Sequence, residues 1–291
     1  MPTYLDPRSI LHRRFASPAS MPRQAISPAQ EYYWHSYATR FFDSNGLDWH
    51  ERMANLQCGS RTSDLTSFIN MIGQLLPVYR ARNDLSHIDS VLMAHWTPDL
   101  HLGSSVINYV IESLRLPACL ALTISDRGPD AALFALSSIA NCQQEDDHDS
   151  LLLIADQSSL PYHSTLLESL APENNACLFS VSCHEQPLRY QGFCRHPQPA
   201  ADTLAQSVAQ LCQRFALRQD RLCVVAEPLL LAALPPALTG IATNPHLVCA
   251  APFVALAEHY QPGCDYLLLV HYQDKLSAVA LQGMESLQGV E

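Results

Sequence analysis

Side chains able to ligate a metal, move a proton or attack an electrophile cluster in a few places along this sequence. Cys183, His184, Cys194 and His196 offer soft ligands, but a Cys-His pair, nine residues and then Cys-x-His fits no familiar zinc module. They read as ordinary loop residues, and no metal is expected. His95, Asp99 and His101 surround a turn after an apolar run, where ligand residues often collect at strand ends. The simpler reading is a capped turn with surface histidines. Asp126 lies in the turn Ser125-Asp126-Arg127-Gly128, just ahead of a very apolar helical stretch whose N-terminus would stabilise a carboxylate. On its own this reads as a salt-bridged or solvent-facing turn. Glu145, Asp146, Asp147 and Asp149 read as a solvated acidic loop. No phosphate loop, dinucleotide fingerprint or serine-hydrolase elbow occurs, and no cofactor is expected.

The elements that would position these groups follow from apolar spacing. Five prolines in residues 1–30 predict an extended arm, followed by one helix whose aromatic cluster Tyr32, Tyr33, Trp34, Tyr37, Phe41 and Phe42 faces the core. Helices are expected over 65–79, 104–114 and 129–140, and buried strands over 88–94, 119–124 and 151–155. The pattern then repeats: a strand over 176–181, a helix over 202–216 with Asp202 as N-cap, and a strand over 222–226. Short helices over 228–238 and 252–259 follow, and 266–270 pairs with 276–281 as antiparallel strands. Apolar strands alternating with helices predict an α/β fold with sheets covered on both faces. The divisions are an arm and helix over 1–61, a first half over 62–183 and a second half over 184–291, the boundary falling in the Pro-rich, polar stretch 184–201.

Composition narrows the function. The chain has 291 residues, 48% hydrophobic and 15% charged, which is ample for a large core and excludes wholesale disorder. With 28 acidic residues against 17 basic, a net charge of −11 and Lys275 as the only lysine, nucleic acid is not an expected partner. The prolines within 9–26 would break a targeting helix, and no apolar stretch reaches the roughly 18 residues of a membrane span. A soluble cytoplasmic protein with its ten cysteines reduced is expected, with no membrane partner.

The segment Ile88-Asp89-Ser90-Val91-Leu92-Met93-Ala94-His95-Trp96-Thr97-Pro98-Asp99 resembles the Ile-Asp, apolar strand, Thr-Pro-Asp segment of the thiolase superfamily, specifically ketoacyl-ACP synthase III-like condensing enzymes. The order that follows is similar: helix, strand, nucleophile turn, buried helix, then a core strand ending at Asp156. Gly263-Cys264-Asp265 before an apolar strand resembles the family's Gly-Asp segment ahead of its closing hairpin. The resemblance covers about residues 62–282 and implies two pseudo-repeated α/β halves in a layered α-β-α-β-α core, here shortened.

The family's chemistry needs a thiolate at the head of its central helix. Laid on that motif, Asp126 takes the nucleophile's place and Gly128 matches the glycine. The family's histidine falls at Ala226 or Glu227, and its asparagine at Asn244, with His246 there in an alternative alignment. His271-Tyr272-Gln273-Asp274-Lys275 replaces a glycine-rich hairpin, and Glu173-Asn174-Asn175 stands where the family carries Gly-Asp-Gly. Ten glycines in all is about half the usual share of roughly 7%.

These departures imply a degenerate subunit with no intact catalytic set. The family dimerises through the strand beside the nucleophile turn, which places Cys119, Leu120, Ala121, Leu122, Thr123, Ile124 and Ser125 at an interface. The resemblance thus implies a heterodimer with an active, cysteine-bearing ketosynthase paralogue, as in chain-length-factor subunits. Acyl carrier protein or acyl-CoA would be engaged mainly through that paralogue. Two other readings stay open: an active acyl-thioester hydrolase or decarboxylase using Asp126 with Glu227 or Asn244, and a stand-alone acyl-binding module.

Overall fold

The computed structural model describes residues 1–16, 27–44, 46, 66–99, 105–125, 127–143, 148–158, 164–200 and 203–284. In chain order, β1 (Tyr4–Leu5), β2 (Leu11–Arg14) and α1 (Pro28–Ser44) precede α2 (Phe68–Arg80), β3 (Ile88–Ala94), α3 (Val106–Leu114) and β4 (Leu120–Ile124). Next come α4 (Ala131–Cys142), β5 (Asp149–Asp156), α5 (Thr165–Leu170) and β6 (Asn175–Val181). The second half holds β7 (Leu188–Pro197), α6 (Leu204–Arg214), β8 (Leu222–Ala226), α7 (Pro228–Ala232), β9 (Thr239–Ala242), α8 (Ala251–Glu258), β10 (Asp265–Tyr272) and β11 (Lys275–Gly283).

The two halves repeat strand for strand. One sheet runs β2-β6-β5-β3-β4, and the other runs β7-β11-β10-β8-β9 with β1 added beyond β7. In each, the first two pairings are antiparallel and the last two parallel. The core is correspondingly divided in three. The outer face of the first sheet packs under α2 and α3, the outer face of the second under α6 and α7, and the inner faces close on α4 and α8. This is the layered α-β-α-β-α arrangement expected from the sequence.

Local sequence explains the layers. Phe68, Met71, Ile72, Leu75, Leu76 and Tyr79 recur at helical spacing along α2, so one stripe is buried and the opposite face is wet, and Ser67 caps the first turn. Helix α4 is buried on almost every side because a sheet covers it above and below. Its Ala131, Ala132, Ala135, Ser137 and Ala140 keep it thin enough for both sheets to reach it.

Several expectations need correction. Residues 4–14 are not a free arm: β1 joins the second sheet beside β7, and β2 joins the first beside β6, so the N-terminus ties the halves together. Strand β4 is an edge strand with Leu120 54% and Leu122 43% exposed, not a buried one. The Pro-rich, polar stretch 184–201 is not all loop: it contains β7, a ten-residue strand paired along its length with β11. Helix α6 starts one residue later than predicted, with Thr203 at its N-cap position, and Asp202 lies outside the described residues. The α1 cluster is split: Phe42 is buried, whereas Tyr32 and Tyr33 are exposed. Among the described residues no helix is long and apolar enough to cross a membrane.

Candidate functional site

The turn leading from β4 into α4 is the natural starting point. Asp126 lies outside the described residues, while Arg127, Gly128 and Asp130 are placed. Gly128 has φ +91°, a region that glycine enters without a Cβ penalty. A Cβ at that position would sit 2.7 and 2.8 Å from Cε1 and Cγ of Tyr272, so the tyrosine ring lies directly on the Gly128 backbone. Tyr272 in turn meets Trp96 edge-on, with ring centroids 4.9 Å apart.

At the N-cap position of α4, Asp130 is buried and gathers charge from the second sheet. Its Oδ2 accepts from Ser277 Oγ at 2.5 Å and lies 3.4 Å from Arg195 Nε and 3.9 Å from Arg127 Nη2. Arg195 also donates to the Arg127 carbonyl, and the Arg127 guanidinium stacks on Phe134 with its carbon 3.8 Å from the ring centre. Asp130 Oδ1 is buried and has no hydrogen-bond partner among the described residues.

The opposite side of the turn is made by the segment Pro245–Ala250, which runs directly into α8. Val248 is held at φ 51°, ψ −114°, a strained setting for a β-branched residue. It delivers the fully buried Cys249 to the head of α4: the Cys249 thiol points at the Gly128 carbonyl, and the Ala132 N–H lies against the sulfur. This residue carried no signal in the sequence, since no spacing linked it to Gly128. Burial, then the neighbouring Asp156, push the Cys249 thiol well above the usual range, so it stays protonated. Its polar neighbours among the described residues include no imidazole.

Asp156 links these parts. It is fully buried, and its Oδ1 accepts from Trp96 N, Thr97 N and Thr97 Oγ1 at 2.9–3.0 Å, while Oδ2 accepts from Cys249 N at 3.1 Å. Burial raises its carboxyl above the usual range, and the backbone donors offset only part of that rise. Asp99 accepts from Phe68 N at the start of α2, and His95 Nδ1 lies 2.8 Å from the Thr97 carbonyl. The His95 turn is therefore a structural joint, and His101 lies outside the described residues.

The other sequence candidates are dispersed. Ala226 is fully buried at the end of β8, where its carbonyl accepts from Thr243 N. Glu227 precedes α7 without capping it, and burial raises its carboxyl despite the opposing pull of His271. Asn244 accepts from His246 N, and His246 Nδ1 lies 2.7 Å from the Leu170 carbonyl, so both hold loops together. Cys183 donates to Asp149, whereas Cys194 is buried in the outer core under α6. Among the described residues no group of three or more His, Cys, Asp or Glu side chains is arranged to hold a metal ion.

The chain matches no protein-family model and no curated protein. Solved structures do resemble it. A point variant of OleA from Xanthomonas campestris aligns with TM-score 0.63 and 12% identity over 97% of this chain and 98% of that one. ChlB3, described as an acyltransferase, aligns with TM-score 0.63 and 13% identity over 98% of each. The 3-oxoacyl-(acyl carrier protein) synthase III of Pseudomonas aeruginosa PAO1, FabH, aligns with TM-score 0.61 and 15% identity over 98% of this chain and 99% of that one. These alignments run almost end to end over both chains. By its paired sheets, its sandwiched central helices and these alignments, the chain has the thiolase-like fold of ketoacyl-ACP synthase III-like condensing enzymes.

Proposed function

We propose that this chain is a non-catalytic partner subunit of a heterodimeric ketoacyl synthase-like acyltransferase. It stabilises an active, cysteine-bearing paralogue and shapes that paralogue's acyl pocket in fatty-acyl, polyketide or other secondary-metabolite synthesis. The observation that carries this reading is the open edge of β4. The strand pairs with β3 on one side, and among the described residues no strand pairs with its other side, which leaves a row of backbone groups at the sheet edge. Leu120 and Leu122 are exposed beside that row. A solvent-exposed apolar edge is an aggregation hazard unless another strand covers it, and a partner's equivalent strand would extend the sheet across both subunits.

The surroundings of the turn support the non-catalytic part. The thiol at the head of α4 is protonated and adjoins a carboxylate, and Ala226 occupies the place that the resemblance gives to histidine. A net charge of −11 would repel an acidic acyl carrier protein, which assigns carrier or acyl-CoA docking to the paralogue. The nine cysteines among the described residues are unbonded, in keeping with a reducing cytoplasm.

Co-expression with a condensing-enzyme paralogue from the same gene neighbourhood tests the proposal. A one-to-one complex is expected on co-purification, with acyl transfer abolished by removing the paralogue's cysteine. A stable homodimer that ignores the paralogue would refute it. Thioester turnover by the purified chain, lost on Asp126→Ala, would replace it with the hydrolase reading.

A further inference from the structure

We propose that Tyr272, braced by Trp96, is a built-in plug that closes the approach of an acyl thioester to the turn at the head of α4, so that the isolated chain holds no acyl ligand. This rests on reading that turn as the former nucleophile site. The tyrosine ring fills the space above Gly128, in contact with the Gly128 backbone, and so denies an acyl group that approach to the turn. No side chain other than hydrogen fits beneath it at residue 128, so ring and glycine are matched.

The plug is fixed from both sides. Trp96 meets the tyrosine ring edge-on, and its own backbone N–H is held at 3.0 Å by the fully buried Asp156. Tyr272 ends β10, paired across the hairpin with Lys275, and the chain reverses at Gln273 with φ 55°. His271 Nε2 lies 2.5 Å from the Gln273 carbonyl, and Gln273 Nε2 reaches the Tyr272 hydroxyl at 3.3 Å. A short hairpin held at its tip leaves the ring little freedom to swing aside. His271-Tyr272-Gln273-Asp274-Lys275 contains no glycine, and by the family resemblance it puts an aromatic ring where a glycine-rich hairpin would leave room.

Binding of dodecanoyl-CoA carrying a terminal fluorophore to the purified full chain, followed by polarisation, tests the plug. Wild type and Tyr272→Phe are expected to show no saturable binding, and Tyr272→Gly to gain at least about tenfold in affinity. The double variant with Trp96→Ala is expected to gain more. Tyr272→Ala serves in its place if the glycine variant does not retain the wild-type melting transition. Native mass spectrometry of wild type provides a measurement free of substitutions, with no co-purifying acyl ligand expected. Wild type that binds as tightly as Tyr272→Gly, an acyl ligand retained by wild type, or a folded Tyr272→Gly without gain would each overturn the plug. None of these results depends on the paralogue, and co-purification with the paralogue does not depend on Tyr272, so the two proposals fail separately.

Discussion

The two halves share one strand order, yet they differ at three matching places. Helix α4 begins with a buried carboxylate bracketed by Arg127 and Arg195, whereas its counterpart α8 begins Ala251-Pro252-Phe253, all buried and apolar. The parallel edge strand β4 exposes the large apolar side chains of Leu120 and Leu122, whereas its counterpart β9, also at a sheet end, exposes only Thr239, Gly240 and Ala242. The antiparallel edge β2 ends the first sheet, whereas its counterpart β7 is covered by β1. Within one repeated framework, the first half carries the exposed large apolar edge and the buried charge cluster, whereas in the second half one edge is covered by β1 and the other exposes only small or polar side chains.

The start of α4 should give the largest effect. Asp130→Ala leaves two guanidiniums converging on a space without a carboxylate, and Ser277 without its acceptor. Removing one member of a fully buried ion cluster costs about 3–5 kcal/mol, and the partial exposure of both arginines argues for the low end, about 3 kcal/mol. Chemical denaturation of the isolated chain measures it. A loss no larger than that of an exposed substitution would mean that the cluster is not a structural joint between the sheets.

The edge strands come next. Leu122→Lys places a charge in the middle of the open edge of β4 and should weaken association with the paralogue about thirtyfold, near 2 kcal/mol, without lowering the stability of the isolated chain. The matched change on the other half, Thr239→Lys in β9, should leave association unchanged. Titration of the two purified subunits separates the cases. Equal effects from both lysines would remove β4 from the interface.

This edge also marks the limit of what the sequence discloses. The run from Leu120 to Ile124 reads as a strand from its apolar content alone, but such a run looks the same whether its own chain or another covers it. The long core strands β3, β5, β8 and β10 are legible because turns bound continuous apolar runs. The short strands β1, β2 and β9 are too brief to show a period, and β7, with Gly192 and polar side chains, resembles a loop. The motifs that carry the family resemblance are anchors of the fold. Thr97 and Asp156 bind each other, and Asp265 accepts from the backbone of Arg218 and Gly283 while pairing with the Arg218 guanidinium. The residues gathered around the head of α4, Trp96, Asp130, Arg195, Cys249, Tyr272 and Ser277, come from separate segments, and only folding brings them together.

The third contrast predicts a pH effect confined to β2. His12 Nε2 is buried and has no hydrogen-bond partner among the described residues, and burial, with help from Arg14, lowers the ring from 6.5 to about 4. The folded state therefore favours the neutral ring, whereas the unfolded chain takes up its proton near pH 6.5. Stability from this group is complete above pH 6.5, is lost as pH falls toward 4, and changes little below that. The full shift corresponds to about 3 kcal/mol, and solvent at this half-buried edge reduces it to about 1.5 kcal/mol. Urea unfolding at pH 7 and pH 4 should show His12→Gln losing less stability than wild type by that amount. Arg14→Gln should raise the ring's midpoint without restoring its usual value, because desolvation is the larger cause. If His12→Gln and wild type lose stability in parallel, the acid sensitivity lies elsewhere, and the bare edge of the first sheet is no weaker than the covered edge of the second.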